Sequence, residues 1–89
     1  MVLVQFRVVV PDVERFKATM AKYAPNFEAD GARNQQAWVS ESDPNEVTTM
    51  AEWESHDQMM ASTDRWGDAF NAEAGTEGLD WETRIWERR

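Results

Sequence analysis

Two periods of apolar residues follow each other in a repeated order along the chain. Apolar residues recur at every second position from Val2 to Val10, and the next stretch shows helical spacing. A second β-like run, Val47 to Trp53, again leads into helical spacing, and a further extended segment follows each helix. This order predicts two strand-helix-strand units, in which the helices cover one face of a small sheet.

The first helix is predicted to begin after Asp12, its N-cap, because apolar residues then recur at spacings of three and four. Pro25 is expected to break or kink this helix near Ala24, since proline lacks a backbone N–H and crowds the preceding turn. Gly31 is expected to turn the chain into the next extended segment. The apolar stripe consists of Val13, Phe16, Met20, Tyr23 and Phe27.

The middle of the chain predicts a hairpin. Arg33 to Ser42 contains few apolar residues and is expected to be an edge strand. Asp43, Pro44 and Asn45 have the chemistry of a turn. The run Val47 to Trp53 would therefore pair back across that turn.

The last third of the chain predicts a helix and a final strand. Ser55 and Gln58 have the spacing of a capping box, which marks the start of the second helix. Alternation from Leu79 to Trp86 predicts the fourth strand. The residues expected to line the inner side of this helix are Met59, Thr63, Trp66 and Phe70.

Composition narrows the classes of partner. A chain of 89 residues is expected to form one domain, residues 1–89, with a small core. Seventeen acidic against nine basic residues give a net charge of −8, which would repel nucleic acid and an anionic membrane surface, so neither is an expected partner. There is no cysteine for a disulfide or a thiolate site. Without a signal-peptide pattern, the expected location is cytoplasmic.

Residues with obvious catalytic chemistry are few. His56 is the only histidine and lies at the predicted start of the second helix, where the positive helix end favours a neutral imidazole that could act as a base. An exposed first-turn residue without a catalytic role is the favoured alternative. The carboxylates do not have the spacing of metal ligands, so no metal site is expected.

The less apolar side of the predicted strands has an unusual composition, with aromatic residues among charges of both signs. Such a face suits an interface that closes under two-fold symmetry, so a homodimer is expected, although an open sheet with one wet face is the alternative. Three of the charged residues could orient an anionic ligand group, but mutual neutralisation is favoured because unpaired buried charge is costly. The face comprises Gln5, Arg7, Gln36, Trp38, Met50, Glu52, Glu82, Arg84 and Trp86, and the charged set is Arg7, Glu52 and Arg84.

The chain resembles the dimeric α/β-barrel superfamily, and within it the antibiotic biosynthesis monooxygenase group. The resemblance rests on the order of elements, on Gly31 before the second strand, on the junction Glu52-Trp53-Glu54-Ser55 and on the aromatic second helix. The resemblance covers nearly the whole chain. It implies a ferredoxin-like βαββαβ fold of the α+β class, with an antiparallel four-stranded sheet. It also implies that two protomers pack their sheets face to face into a barrel.

The same resemblance implies a cavity between helices and sheet. Relatives oxidise polycyclic phenols there without an added cofactor, or degrade haem, but this chain has no histidine late in the second helix to ligate iron. No cofactor is therefore expected, and the expected ligand is a small hydrophobic, aromatic or polyketide-like molecule. Oxygenation, cyclisation of a polyketide and non-catalytic binding all remain open. Aromatic residues that could form the pocket, or simply fill the core, are Phe6, Tyr23, Trp53, Trp66, Phe70 and Trp81.

Overall fold

A computed structural model describes all residues, 1–89. The predicted order of elements is confirmed, since the chain forms a β-α-β-β-α-β unit with one four-stranded antiparallel sheet and two helices. The bounds are β1 Val2–Val9, α1 Val13–Ala29, β2 Arg33–Val39, β3 Glu46–Trp53, α2 His56–Ala74 and β4 Glu82–Glu87. Neither helix combines the length and hydropathy needed to cross a membrane.

The sheet has the strand order β2-β3-β1-β4. The first strand, β1, therefore lies inside the sheet and pairs with β3 on one side and β4 on the other. The prediction that β2 is an edge strand is confirmed. This strand is also irregular, because its register shifts between Arg33 and Gln36 and Asn34 adopts a left-handed conformation with φ 53°.

The fourth strand is shorter than its sequence pattern suggested. It begins at Glu82, so the prediction that it starts at Leu79 is wrong. Gly75 and Gly78 both have positive φ and turn the chain before the strand. The indole of Trp81 packs edge-on against Phe6, with 6.1 Å between ring centroids, so this part of the alternating pattern serves a loop that covers the core.

The first helix runs through its proline. Asp12 is the predicted N-cap and accepts a hydrogen bond from Arg15 N at 3.1 Å. The predicted break near Ala24 does not occur, because helical structure continues through Pro25 to Ala29. Packing explains the difference, since Phe27 in this last turn contacts the rings of Tyr23 and Phe70 at centroid distances of 6.3 and 6.2 Å.

The second helix begins at the predicted capping box. Ser55 Oγ accepts a hydrogen bond from Gln58 N at 3.1 Å, and Gln58 Oε1 accepts one from Glu54 N at 2.9 Å. The predicted turn at Gly31 lies against the same glutamine, with φ 119°. A Cβ atom at Gly31 would collide with the Gln58 side chain, so the close approach of the α1–β2 turn to α2 requires glycine.

One carboxylate joins the end of α1 to α2. Asp30 Oδ2 accepts hydrogen bonds from Ser62 Oγ at 2.8 Å and Trp66 Nε1 at 2.9 Å, and Asp30 Oδ1 binds Arg65 Nη1 at 2.8 Å. Ser62 is buried, and its hydroxyl therefore depends on this partner.

We expect Asp30→Ala to lower the free energy of unfolding by about 2 kcal/mol, because the Ser62 and Trp66 donors would lose their only acceptor. Urea unfolding followed by tryptophan fluorescence measures the change. The matched control is Asp80→Ala, which removes an exposed loop carboxylate and should change the value by less than about 0.5 kcal/mol. Equal unfolding midpoints for the two variants would show that the Asp30 contacts contribute no stability.

Candidate functional site

The helix-covered side of the sheet contains a cavity of about 250 Å³. It lies between two separate clusters of buried residues, one built around Phe16, Tyr23 and Phe70 and the other around Val4, Trp53 and Met59. Members of both clusters line it. The full lining is Val4, Phe6, Phe16, Met20, Phe27, Gln35, Thr49, Met50, Ala51, Trp53, Met59, Ser62, Thr63, Gly67, Phe70, Asn71 and Trp81.

Four of the six predicted pocket residues line this cavity, namely Phe6, Trp53, Phe70 and Trp81. Tyr23 and Trp66 do not line it. The Trp66 indole is held by its hydrogen bond to Asp30, and Tyr23 packs edge-on against Trp66 with ring centroids 6.2 Å apart. Both rings therefore pack outside the lining of the cavity.

The sequence pattern missed several residues that line the cavity. Phe16, Met20 and Phe27 belong to the apolar stripe of α1, but a stripe indicates burial without indicating which members border a void. Nothing in the sequence marked Gln35 and Asn71 as lining residues, because polar residues within predicted strands and helices are normally solvated.

Three polar groups in the lining have unused hydrogen-bonding capacity. Gln35 Nε2 donates to Ala24 O at 2.9 Å, which leaves its Oε1 free, and Asn71 Oδ1 accepts from Thr76 Oγ1 at 2.8 Å, which leaves its Nδ2 free. The Thr49 hydroxyl makes no hydrogen bond within the chain. Every fully buried side-chain polar atom has a partner, so these free groups are not fully buried. The cavity thus offers a donor, an acceptor and a hydroxyl on an apolar wall.

All the lining residues are uncharged at neutral pH, including Met50, whose side chain lies on the opposite face of the sheet. An apolar, uncharged wall favours a neutral ligand, because a charge would lose its hydration without gaining an ion pair. The two indoles and the phenylalanine rings offer flat faces and edges for an aromatic ligand.

His56 is exposed in the first turn of α2 and does not line the cavity. The structure therefore does not bring this candidate base to the pocket that would hold a substrate.

The opposite, helix-free face of the sheet carries the residues predicted for a dimer. The register aligns Gln5 with Met50 and Arg84, and Leu3 with Glu52 and Trp86, so these side chains share one face. Trp38 lies on the same face through its pairing with Thr48 on β3. The indoles of Trp38 and Trp86 are 58% and 54% exposed, which is a large fraction for this side chain.

Arginines on this face form ion pairs within the sheet. Arg7 binds Glu46 and also Glu82, with 3.0 Å from Nη1 to Oε2, and Arg84 binds Glu82 at 3.2 Å. The hydrogen bond that Arg7 donates to Glu46 is the main cause that raises the pKa of Arg7, so this residue keeps its charge. Glu52 instead accepts a hydrogen bond from Asn34. Opposite Glu52, β1 presents Leu3 instead of Arg7, which explains the difference.

Comparison of the sequence with protein-family models and with curated proteins gives no match. Solved structures are similar over nearly the whole chain. A candidate antibiotic biosynthesis monooxygenase from Bordetella bronchiseptica has a TM-score of 0.81 at 18% identity, with 99% of this chain and 96% of that chain covered. A conserved protein from Methanosarcina mazei Go1 has a TM-score of 0.80 at 14% identity, with coverage of 99% and 92%.

A third similar structure is that of SnoaB, a cofactor-independent oxygenase from Streptomyces nogalater. Its TM-score is 0.75 at 20% identity, with 99% of this chain and 91% of that chain covered. At these identities the likenesses establish a shared fold. The chain is thus a ferredoxin-like α+β protein, and the predicted resemblance is confirmed at the level of the fold, since its structural neighbours include proteins of the antibiotic biosynthesis monooxygenase type.

Proposed function

We propose that the chain forms a homodimer in which each protomer binds a small aromatic or polyketide-like molecule in the helix-sheet cavity and oxygenates it without a cofactor. The observation that carries the proposal is the apolar cavity of about 250 Å³, lined by Trp53 and Trp81, in a fold shared with a cofactor-independent oxygenase. Burial of an aromatic ligand against these rings would be favourable in itself.

The reaction requires an electron-rich substrate and dioxygen. A ring CH₂ flanked by a phenol or carbonyl loses a proton, and the resulting carbanion adds to dioxygen to form a peroxide anion. This anion takes a proton back from water to give a hydroperoxide, and loss of water then leaves a carbonyl. The chain's contribution is to bind and orient the substrate. Hydrogen bonds from Asn71 Nδ2 and the Thr49 hydroxyl would stabilise negative charge that develops on a substrate oxygen. Since the lining is uncharged, the proton would leave to solvent water.

The dimer is proposed from the helix-free face. Trp38 and Trp86 expose more than half of their surface there, beside the neutralised ion pairs of Arg7. A second copy related by a two-fold axis would bury the same aromatic anchors on both sides.

The test is oxygen uptake by the purified protein with a hydroxylated anthrone or a smaller phenolic analogue, measured with an oxygen electrode alongside product analysis. We expect uptake of one dioxygen per carbonyl formed, at a rate that rises with pH as the substrate ionises. A Trp53→Ala variant should lose most of this rate because the ligand would lose its aromatic contact. No uptake above the protein-free control with any substrate would refute the oxygenase.

A second function, non-catalytic binding of a neutral aromatic molecule, is favoured by the uncharged lining of the cavity. It predicts ligand binding that quenches tryptophan fluorescence, with no consumption of oxygen. Product formation under nitrogen would instead identify a cyclase, which folds the substrate without oxidising it.

A further inference from the structure

Asn71 lines the cavity, and the orientation of its side-chain amide is fixed by a residue outside the cavity. Thr76 is fully buried, lies in the loop after α2 and does not line the cavity. Its hydroxyl donates to Asn71 Oδ1 at 2.8 Å, and its backbone N–H donates to Asn71 O at 3.0 Å. The amide group is therefore anchored by its oxygen, and its Nδ2 is left to donate to a ligand.

The size of the cavity limits what can be enclosed beside that donor. An apolar cavity of about 150 Å³ in another protein holds benzene, which has six carbon atoms. At the same packing, about 250 Å³ accommodates about ten non-hydrogen atoms, and the rest of a larger ligand would extend through the open side of the cavity. Ten atoms correspond to two fused six-membered rings, whereas a three-ring anthrone has about half as many again.

We infer that the preferred ligand is a neutral two-ring aromatic molecule that carries an acceptor oxygen, and that Asn71 is the residue that selects for this oxygen. The inference rests on the proposed function, because it concerns the same cavity. Thr76 acts through Asn71 and is a positioning residue. A ligand without the oxygen would leave the amide N–H facing an apolar surface, which lowers affinity.

Tetralin and 1-tetralone test the inference, because they share a two-ring skeleton and differ by one carbonyl oxygen. Isothermal titration calorimetry of each with the whole protein gives the ratio of their dissociation constants. We expect 1-tetralone to bind about fivefold more tightly than tetralin, as one net hydrogen bond would provide. Anthrone should bind no more tightly than 1-tetralone, because its third ring would extend out of the cavity and gain no contact there.

Two variants separate selection by Asn71 from a general structural effect. Asn71→Leu should abolish the preference for 1-tetralone while tetralin still binds. Thr76→Val, which keeps the shape of the buried side chain outside the cavity, should reduce the preference with little change for tetralin. An equal change for both ligands in both variants would overturn the role of Asn71.

The titrations of the three ligands also distinguish this inference from the proposed function. If tetralin and 1-tetralone bind the unmodified protein equally, or if anthrone binds most tightly, the inference fails and the binding cavity stands. If none of the three ligands binds, the proposed function fails and this inference fails with it.

Discussion

Replacing Trp86 by glutamate is expected to weaken the homodimer at least a hundredfold. Trp86 is more than half exposed on the helix-free face, so the change should leave the fold of the protomer intact. A tryptophan at the centre of an interface contributes at least about 2 kcal/mol, and two-fold symmetry places two copies in one dimer. The new carboxylate would also lie on the same face as Glu52, with only Leu3 of β1 between them.

Sedimentation velocity at micromolar concentration measures this change. The unmodified chain should sediment at twice its mass of 10.3 kDa, and the variant at the single mass. Met60→Glu is the matched control, because Met60 is 43% exposed on α2, away from the sheet face, and the same charge there should leave the dimer unchanged. An unmodified chain that sediments as a folded monomer would contradict the dimer proposal.

Gly67→Leu is expected to remove two-ring ligand binding without lowering stability. Gly67 lines the cavity within α2, and a Cβ atom there would meet Thr63 Cγ2 at an ordinary 3.5 Å. A cavity of about 150 Å³ holds the six carbons of benzene, so the four carbons added by leucine would occupy about 100 Å³. About 150 Å³ would then remain, which is enough for one ring. Replacing a mid-helix glycine also adds about 0.8 kcal/mol of helix propensity.

Calorimetric titration with tetralin and benzene, together with urea unfolding, measures both effects. We expect the affinity for tetralin to fall at least tenfold while benzene still binds. Gly67→Ala is the control, since it supplies the helix propensity but adds only one carbon, and it should retain most of the tetralin affinity. Unchanged tetralin binding in Gly67→Leu would show that the ligand does not occupy this cavity.

The sequence predicted the fold well because apolar residues follow the strand period and the helix period regularly. The strand period is regular where the sheet has one packed face and one opposite face. In β1, Val4 and Val8 are buried, and Gln5 and Arg7 lie on the other face, as alternation indicated. Errors arose where a tertiary contact outweighed a local preference. Phe27 holds the turn after Pro25 in the helix, and Trp81 leaves the extended pattern to pack against Phe6.

The site was less predictable from sequence than the fold. A stripe of aromatic residues identifies the core, but a void depends on small differences in packing that the sequence alone does not reveal. Trp66 shows this limit, since it has the spacing of a lining residue and is instead held by Asp30, 36 positions away. Asn71 shows the converse, because its role depends on Thr76, a loop residue outside any periodic pattern.

The internal position of β1 has a consequence for the kinds of sequence change that the protein can tolerate. This strand pairs on both of its edges, and its successive residues alternate between the packed core and the opposite face. Deleting or inserting a single residue in its middle would send every later side chain to the wrong side, which would place Arg7 in the core and Val8 outside. Changes of length should therefore be confined to the connecting turns, while β1 accepts only substitutions.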